Sequence, residues 1–379
     1  MKSFVFLRGK KFFNHKGTLR KNNKCHKGIL HRNQIMSVQK ININRFLELA
    51  NAIRIADVRS PSEFKSGHIP GAVNIPLFDD KERESVGIKY KKEGRLPAIL
   101  EGLSLTGPAI RSKLEQGLTI ANDGKLLVHC WRGGMRSESM AWLFSMGDLE
   151  VFVLEGGYKA YRHLVLEKLS EKRKMIVLGG MTGSSKTHIL QCLSSLGQQF
   201  LDLEKFANHK GSAFGALGQP PQPTTEQFGN ILFKKWRQLD ADLPFWVEDE
   251  SRNIGTVFIP DGFYLNMQET TTVIIEMDVN TRLPRLIEEY ANYPAGLLIS
   301  SVSKISKRLG GDKTKDAIDA IEKGDIAKAV EIVLYYYDRT YRFGLNKKNS
   351  KNLVYVESDT DDIETNALKV LKAARKIKW

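Results

Sequence analysis

The chain has few cysteines and no long apolar run. Its 379 residues include three cysteines, Cys25, Cys130 and Cys192, which lie far apart in the sequence. An odd number of scattered cysteines argues against a disulfide framework or a cysteine-rich metal site and favours a reducing compartment. No apolar run approaches the roughly 18 residues that a membrane span requires. We therefore expect a cytoplasmic protein with no membrane partner.

Acidic residues are missing from the start of the chain. Twelve of the 58 lysines and arginines precede the first acid, Glu48, so most of the net charge of +15 lies there. Residues 1–39 are interpreted either as a disordered basic arm that touches RNA phosphates or as sequence before a true start at Met36. We favour the second interpretation because a strand-and-helix pattern begins only after Met36.

The rest of the chain alternates short apolar runs with helical patterns, which predicts an α/β fold. A hydrophobic content of 41% is ample for packed cores, and the length favours two or three domains. We expect an α/β domain at residues 40–168, a second α/β domain with a parallel sheet at 172–300, and a helical C-terminal region at 301–379.

The most informative stretch is 126–137. An apolar run at 126–128 predicts a buried strand that ends at Cys130, and a helical pattern begins at Met135. The thiol is thus expected in a loop at a helix N-terminus, where backbone N–H groups favour a thiolate and bind an oxyanion. A buried structural cysteine, the alternative, would not require two arginines beside two glycines. Cys130 is the predicted catalytic nucleophile, and the predicted oxyanion-binding residues are Arg132, Gly133, Gly134, Met135 and Arg136.

The segment around this loop resembles the rhodanese-like domain. An Asp-Val-Arg strand end at 57–59 and the stretch Glu-Phe-Lys-Ser-Gly-His-Ile-Pro-Gly-Ala within 61–76 carry the resemblance, which covers about residues 42–161. It implies the rhodanese α/β fold with Cys130 in the active-site loop. The polar residues that we expect to be structural, through scaffold hydrogen bonds, are Asp57, Arg59, Glu63 and His68.

The length of the cysteine loop leaves the reaction open. From Cys130 to Arg136 it has seven residues, one more than the usual sulfurtransferase loop and as many as in rhodanese-like phosphatases. His129-Cys130 followed by Arg136-Ser137 also fits the protein tyrosine phosphatase signature, although we assign no general acid for a phosphatase. Otherwise the substrate is an oxyanion that delivers sulfur or selenium to Cys130, such as thiosulfate, thiophosphate or selenophosphate.

A second glycine-rich loop follows an apolar strand at 175–178. Its sequence, Gly-Gly-Met-Thr-Gly-Ser-Ser-Lys-Thr at 179–187, resembles a P-loop, whose backbone N–H groups and lysine bind phosphates. Ser185 replaces the second glycine of the motif, so the loop is strained if φ is positive there. Phosphate binding is therefore a safer expectation than nucleotide hydrolysis. The predicted diphosphate-binding residues are Gly180, Thr182, Gly183, Ser184, Ser185, Lys186 and Thr187.

Acidic residues end two further predicted strands, at 200–204 and at 244–255. In P-loop folds such a strand end holds a carboxylate associated with Mg²⁺. Asp249 is the first candidate and Glu248 the second, and an ordinary solvated strand end is the alternative. The candidate polar or Mg²⁺ site comprises Asp202, Glu248, Asp249 and Arg252.

Beyond a last predicted strand at 271–277, the C-terminal region combines helical patterns with clustered basic and aromatic residues. Cationic and aromatic side chains together suit RNA phosphates and a splayed base, whereas solvated helix faces with core tyrosines are the alternative. The clusters are Lys304, Lys307, Arg308, Lys313, Lys315, Arg339, Arg342, Lys347, Lys348 and Lys351, with Tyr335, Tyr336, Tyr337 and Tyr341.

The two α/β domains together resemble the tRNA 2-selenouridine synthase family. The resemblance rests on 130–137, 202–204, 207–215 and 248–255, and it covers about residues 40–300 with weaker similarity to the end. It implies exchange of sulfur for selenium at C2 of the wobble 2-thiouridine, with selenophosphate as donor, through an S-geranyl-2-thiouridine made from geranyl diphosphate. The implied partner is tRNA, bound by its anticodon loop. No cofactor is certain, and Mg²⁺ is a candidate.

The residue chemistry is compatible with that family. A P-loop with Lys186 can bind the diphosphate of geranyl diphosphate without hydrolysing a nucleotide, which would explain why the loop tolerates Ser185. Two alternatives stay open. One is a rhodanese-type sulfurtransferase or Cys-dependent phosphatase fused to a P-loop NTPase, and the other is a non-catalytic phosphate- or RNA-binding module.

Overall fold

The computed structural model describes residues 38–346, 348 and 350–377. The predicted basic extension, with Cys25 and Met36, lies outside the described residues except for positions 38 and 39, which begin the first strand. Within the described ranges, no helix is both long and apolar enough to cross a membrane.

The first domain is built on a five-stranded parallel sheet of order β1-β5-β4-β2-β3. Its strands are β1 (Val38–Ile41), β2 (Ile55–Asp57), β3 (Ala72–Asn74), β4 (Lys125–His129) and β5 (Glu150–Leu154). Its helices are α1 (Ile43–Leu49), α2 (Pro61–Ser66), α3 (Asp80–Glu93), α4 (Arg95–Thr106), α5 (Ile110–Ile120), α6 (Met135–Ser145) and α7 (Gly157–Leu169), with a 3₁₀ turn at Gly107–Ala109. Because β1 begins at Val38, this sheet starts two residues before the predicted boundary.

Both faces of the central strand β4 are buried. Leu126 and Val128 face one core with α6, whereas Leu127 faces a second core with α1 and α7. This is the alternation expected of a strand covered by helices on both sides, and it explains why β4 is a continuous apolar run.

The second domain has another five-stranded parallel sheet, of order β12-β11-β6-β8-β7. Its strands are β6 (Met175–Gly180), β7 (Gln199–Leu201), β8 (Phe245–Glu248), β11 (Thr272–Met277) and β12 (Leu353–Ser358), and the hairpin strands are β9 (Asn253–Ile254) and β10 (Val257–Phe258). Its helices are α8 (Lys186–Ser195), α9 (Leu203–Ala207), α10 (Thr225–Trp236), α11 (Asp261–Glu269), α12 (Val279–Ala291), α13 (Ala295–Lys304), α14 (Ser306–Leu309), α15 (Gly311–Glu322), α16 (Ile326–Leu345) and α17 (Ile363–Ala374), with a 3₁₀ turn at Ser350–Asn352.

The C-terminal region is helical, as the sequence predicts, but it also supplies the edge strand β12. This strand pairs in parallel with β11 over six residues, so the sheet of the second domain extends well beyond residue 300. The run that forms β12 is short and only partly buried. A short apolar run of this kind has no periodicity that separates strand from helix.

One hydrophobic core crosses from the first domain to the second. Its members include Phe46, Tyr158 and Leu169 from the first domain and Phe228, Trp236 and Phe263 from the second. Helix α7 packs against α10 and α11 across this boundary. An interface with a shared apolar core holds its two domains in a fixed relation far better than a small polar interface does.

Candidate active site

Cys130 lies directly after β4, where the chain turns into α6. Its side chain is buried, and Sγ lies 3.2 Å from Oγ of Ser137 in the first turn of α6. The Ser137 hydroxyl also contacts the Gly134 carbonyl at 2.9 Å. Gly133 has φ of +69°, and a Cβ atom there would lie 2.5 Å from the Leu154 carbonyl oxygen. The tight turn around the sulfur therefore requires glycine at this position.

The two arginines of the loop differ in their surroundings. Arg136 donates to Glu63 at 2.6 Å, and the Glu63 carboxylate also accepts from the Ser60 backbone N–H at 3.0 Å. Burial opposes the charge of Glu63, but Arg136 outweighs it and lowers the pKa of the carboxyl. Arg132 is exposed and has no ion pair in the described part of the chain. Met135 is also exposed, so the predicted oxyanion ring is open to solvent on that side.

Behind the loop, Asp57 and Arg59 form a fully buried ion pair of 2.6 Å, as expected of structural residues. Burial opposes the charge of Asp57, but His129 and Arg59 outweigh it and lower its pKa. Burial lowers the pKa of His129, so this imidazole is neutral near pH 7. Arg59 is therefore the cationic partner of Asp57 at that pH. The Arg59 guanidinium also lies 3.8 Å from the ring centre of Tyr158, whose backbone N–H donates to the Cys130 carbonyl at 2.8 Å.

The P-loop lies between β6 and α8, as the sequence predicts. Lys186 Nζ donates to the Gly180 carbonyl at 3.0 Å, and Ser185 has φ of +59°. A non-glycine residue in this left-handed conformation costs about 1 to 2 kcal/mol, so the strain expected from the missing glycine is present. The Gly180 N–H donates to the Tyr341 hydroxyl at 2.8 Å, which removes it from the predicted set of free N–H donors.

Two arginines of α12, which sequence reasoning missed, also contact the loop. Buried Arg282 donates to the Thr182 carbonyl at 2.8 Å and forms an ion pair of 2.6 Å with Asp338. Arg285 donates to the Ser185 hydroxyl at 2.5 Å. Both residues lie about a hundred positions from the loop, and no local motif marks them. Arg285 adds a positive charge at the position where Ser185 replaces glycine.

Three glutamates cluster at the start of α8. Carboxylate oxygens of Glu204, Glu248 and Glu250 lie within 4.8 Å of one another, and the Thr187 hydroxyl donates to Glu248 at 2.5 Å. Burial, and then the neighbouring carboxylates, raise the pKa of Glu248 well above its usual value and that of Glu250 to about 8. Oε2 of Glu248 is buried and has no hydrogen-bond partner among the residues that the structure describes. An all-oxygen set with clustered negative charge and an unpartnered oxygen fits a divalent cation such as Mg²⁺.

The predicted acidic site needs correction, because only Glu248 of its four residues belongs to this cluster. Asp249 points elsewhere and pairs with Lys348 at 2.6 Å, while Arg252 pairs with Asp261 on the surface. Asp202 caps α9 by accepting from the Lys205 N–H at 2.8 Å. Successive side chains leave a strand on opposite sides, which separates Asp249 from the glutamate cluster, and its Oδ2 accepts from the Tyr341 hydroxyl at 3.2 Å.

The basic and aromatic clusters of the C-terminal region are only partly available to a nucleic acid. Lys304, Lys307, Arg308, Lys313 and Lys315 are exposed. Tyr335 is 60% exposed and stacks under Lys313, with Nζ at 4.0 Å from the ring centre. By contrast, the hydroxyls of Tyr337 and Tyr341 accept hydrogen bonds from backbone N–H groups inside the domain, so these two side chains are not available to a nucleic acid. Lys347 lies outside the described residues.

The fold and the two loops define a two-domain protein, in which a rhodanese-like domain with a cysteine loop shares a core with a P-loop domain. Family models match both parts: the rhodanese-like domain at residues 43–164 and the tRNA 2-selenouridine synthase AAA domain at residues 173–372. The chain belongs to the tRNA 2-selenouridine synthase family, which confirms the resemblance found in the sequence.

Curated relatives agree along most of the chain. A tRNA 2-selenouridine synthase of Nitrosomonas europaea is 32% identical over 78% of this chain and 89% of its own length. Proteins of the same name from Sulfurovum sp. and Shewanella loihica are 34% and 35% identical, over 80% and 79% of this chain and 92% and 89% of their own lengths. The similarity therefore spans both domains.

Proposed function

We propose that this protein is a tRNA-modifying enzyme that replaces sulfur by selenium at C2 of the wobble 2-thiouridine. Selenophosphate is the proposed selenium donor, and S-geranyl-2-thiouridine, made from geranyl diphosphate, is the proposed intermediate. The observation that carries the proposal is the shared core, which joins a cysteine loop and a phosphate-binding loop in one compact unit of a chain from this family.

The P-loop supports the geranyl step. In that step the sulfur of 2-thiouridine attacks C1 of the geranyl group, and the C–O bond to the diphosphate breaks. Lys186 and Arg285 bring two positive charges to the loop, where they would oppose the negative charge that develops on the departing diphosphate. Such chemistry needs a diphosphate cradle but no nucleotide hydrolysis.

Mg²⁺ is proposed to bind together with the diphosphate. Glu204, Glu248, Glu250 and the Thr187 hydroxyl would hold the ion, which supplies positive charge beside the diphosphate when bound. The unpartnered oxygen of Glu248 supports this assignment because a buried carboxylate oxygen without a partner is costly.

The cysteine loop supports the selenium step. Selenophosphate is proposed to occupy the ring formed by residues 131–136, where the Cys130 thiolate activates selenium by attacking phosphorus: an S–P bond forms, the P–Se bond breaks and hydrogen selenide leaves. The selenide then adds to C2 of the S-geranyl nucleoside, and the C2–S bond breaks with geranyl thiol as the leaving group. Water hydrolyses the cysteinyl phosphate to inorganic phosphate and restores the Cys130 thiol. Arg132 is exposed beside the ring and available to an anion, whereas Arg136 is already paired with Glu63. Alkylation of the 2-thio group by geranyl makes it a better leaving group, so the geranyl step precedes the selenium step.

Mass spectrometry of wobble nucleosides tests the proposal, with tRNA from cells that carry the wild-type gene, Cys130→Ala or Lys186→Ala. We expect Lys186→Ala to abolish geranylation and Cys130→Ala to accumulate the S-geranyl nucleoside without selenium. Intact selenation in Cys130→Ala would refute the role of the cysteine. Turnover of thiosulfate or an aryl phosphate together with ATP, without any change in tRNA, would favour a sulfurtransferase or phosphatase fused to an NTPase.

A further inference from the structure

The helices α3 and α4, which lie between β3 and β4 in the chain, form a hairpin that adds little to the core. All 14 residues of α3 are at least partly exposed, so polar contacts set the position of this helix. The Asp80 carboxylate accepts from the Ser62 hydroxyl at 2.6 Å and from the Ser62 N–H at 3.0 Å. Ser85 and Lys89 of α3 both contact Glu101 of α4, at 3.2 and 3.5 Å. The hairpin is thus fixed to the domain by groups that do not build its core.

This hairpin places two arginines at the rim of the cysteine loop. Nη2 of Arg95, the first residue of α4, lies 3.9 Å from Sδ of Met135, which belongs to the ring at residues 131–136. Nε of Arg83 in α3 lies 4.0 Å from Oε2 of Glu63, the carboxylate that Arg136 holds at 2.6 Å. Both guanidinium groups therefore approach the ring from outside the loop.

The positive charge of Arg83 is not used by a hydrogen bond to Glu63. A separation of 4.0 Å is too long for one, and the buried Nε has no hydrogen-bond partner among the residues that the structure describes. Glu63 carries one negative charge and faces the two guanidinium groups of Arg83 and Arg136, so one positive charge is left over. A buried donor without a partner is costly, and an anion at the ring would satisfy it.

The excess of positive charge suits the reaction proposed for this loop. In the described part of the chain, Arg83, Arg95 and Arg132 donate no hydrogen bond to a carboxylate, in contrast to Arg136. The proposed selenium step brings the Cys130 thiolate to the phosphorus of an anion, and these two like charges repel each other. Three arginines around the ring would offset that repulsion, whereas the loop alone supplies only Arg132.

We propose that Arg83 and Arg95 bind the phosphate group of the selenium donor in the cysteine loop, together with Arg132. The inference rests on the proposed function and names the residues that hold the donor of its selenium step. The α3–α4 hairpin then forms the wall of the anion site that the loop itself does not supply. Arginine suits this position because its planar group of donors can bind two oxygens of one phosphate.

Calorimetric titration with inorganic thiophosphate, which has sulfur in the place of selenium, tests the assignment. The P-loop also binds phosphates, so every protein of the series is the full chain with Lys186→Ala. We expect Arg83→Ala and Arg95→Ala each to weaken thiophosphate binding roughly tenfold, because a hydrogen bond from a charged donor is lost. Arg83→Lys keeps the charge without the planar group of donors, and its affinity should lie between those of Arg83→Ala and the parent protein.

Arg54→Ala is the matched control. Arg54 is an exposed arginine of the same domain, and it directly precedes β2, whereas the cysteine loop follows the carboxyl end of β4. Because β2 and β4 are parallel, Arg54 lies at the opposite edge of the sheet from the loop. Arg54→Ala should therefore change the affinity for thiophosphate less than about twofold.

Arg132→Ala separates this inference from the function on which it rests, because Arg132 belongs to the loop itself. If Arg132→Ala weakens thiophosphate binding but Arg83→Ala and Arg95→Ala do not, the inference is wrong and the selenium step stands. If thiophosphate does not bind, or if none of the three variants changes its affinity, the proposed anion site and this inference both fall. Should Arg83→Ala not fold, Arg83→Lys and Arg95→Ala carry the test, and an unchanged affinity in both refutes the role of the hairpin.

Discussion

Asn230 of α10 joins the two domains at a fully buried position. Its Nδ2 donates to the His68 carbonyl at 2.9 Å and to the Tyr158 hydroxyl at 2.7 Å, and its Oδ1 accepts from Arg162 at 2.5 Å. His68, Tyr158 and Arg162 all belong to the first domain. Asn230→Ala therefore removes three polar contacts across the boundary without touching either proposed site.

The loss of folding stability in Asn230→Ala depends on which hydrogen bonds His68, Tyr158 and Arg162 keep. The His68 carbonyl loses its hydrogen bond, and a buried group left unpaired costs about 1 to 3 kcal/mol. Arg162 loses its shortest partner but keeps weaker contacts with Glu226, and the Tyr158 hydroxyl still donates to Glu226 at 2.8 Å. We expect the free energy of unfolding to fall by about 3 kcal/mol, chiefly from His68 and Arg162.

Urea denaturation of the full chain, followed by tryptophan fluorescence, measures this loss. Asn292→Ala is the control, because Asn292 is exposed and, within the described ranges, its side chain bonds only the Glu288 carbonyl four residues earlier. Its effect should stay within about 0.5 kcal/mol. If Asn230→Ala costs less than about 1 kcal/mol, or no more than the control, the buried network does not hold the domains together as argued.

Three further predictions concern the sites. Mg²⁺ at ten times its dissociation constant should stabilise the wild-type protein by about 1.4 kcal/mol, and it should not stabilise Glu248→Gln. Thermal melting with and without a chelator measures both responses. An equal response of the two proteins refutes the cation site. Arg285→Ala removes a charged donor to the loop and should weaken pyrophosphate binding by roughly tenfold or more, as measured by calorimetry. The affinity of Arg285→Lys should lie between those of Arg285→Ala and the wild-type protein. An unchanged affinity in Arg285→Ala refutes the role of Arg285 in diphosphate binding. The pKa of Glu63 is lowered by Arg136 against the opposing effect of burial, so its stabilisation is full above about 4.5 and disappears as pH falls further. Glu63→Gln should therefore destabilise the protein at pH 7 and much less at pH 3 in urea denaturation, and a pH-independent difference would contradict the ion pair.

The cysteine loop and the P-loop could be predicted because each is a local pattern. In both, an apolar strand, a few glycines and a basic residue follow one another within about a dozen positions. The strand context and the need for a positive φ at Ser185 can both be inferred from neighbouring residues. Local sequence was therefore sufficient for these two elements.

The rest of the phosphate site could not be predicted in this way. Arg282 and Arg285 reach the loop from a helix about a hundred positions away, so only the sheet order β12-β11-β6-β8-β7 brings them there. The sequence ranked Asp249 before Glu248, whereas the structure places Glu248 in the glutamate cluster, because a shift of one residue reverses the face of a strand. Glu250 lies two positions after Glu248, and this period of two is the signal that could have identified it.

The shared core limits how the two proposed steps can be linked. Tyr158 contacts the cysteine loop through its backbone N–H and the second domain through its hydroxyl, with both hydrogen bonds at 2.8 Å. Because apolar side chains of both domains pack around this residue, closure of one domain on the other would have to break that core. Under the proposed function, a wobble base that visits both sites must therefore be moved by the tRNA, because closure of one domain on the other is not available to carry it.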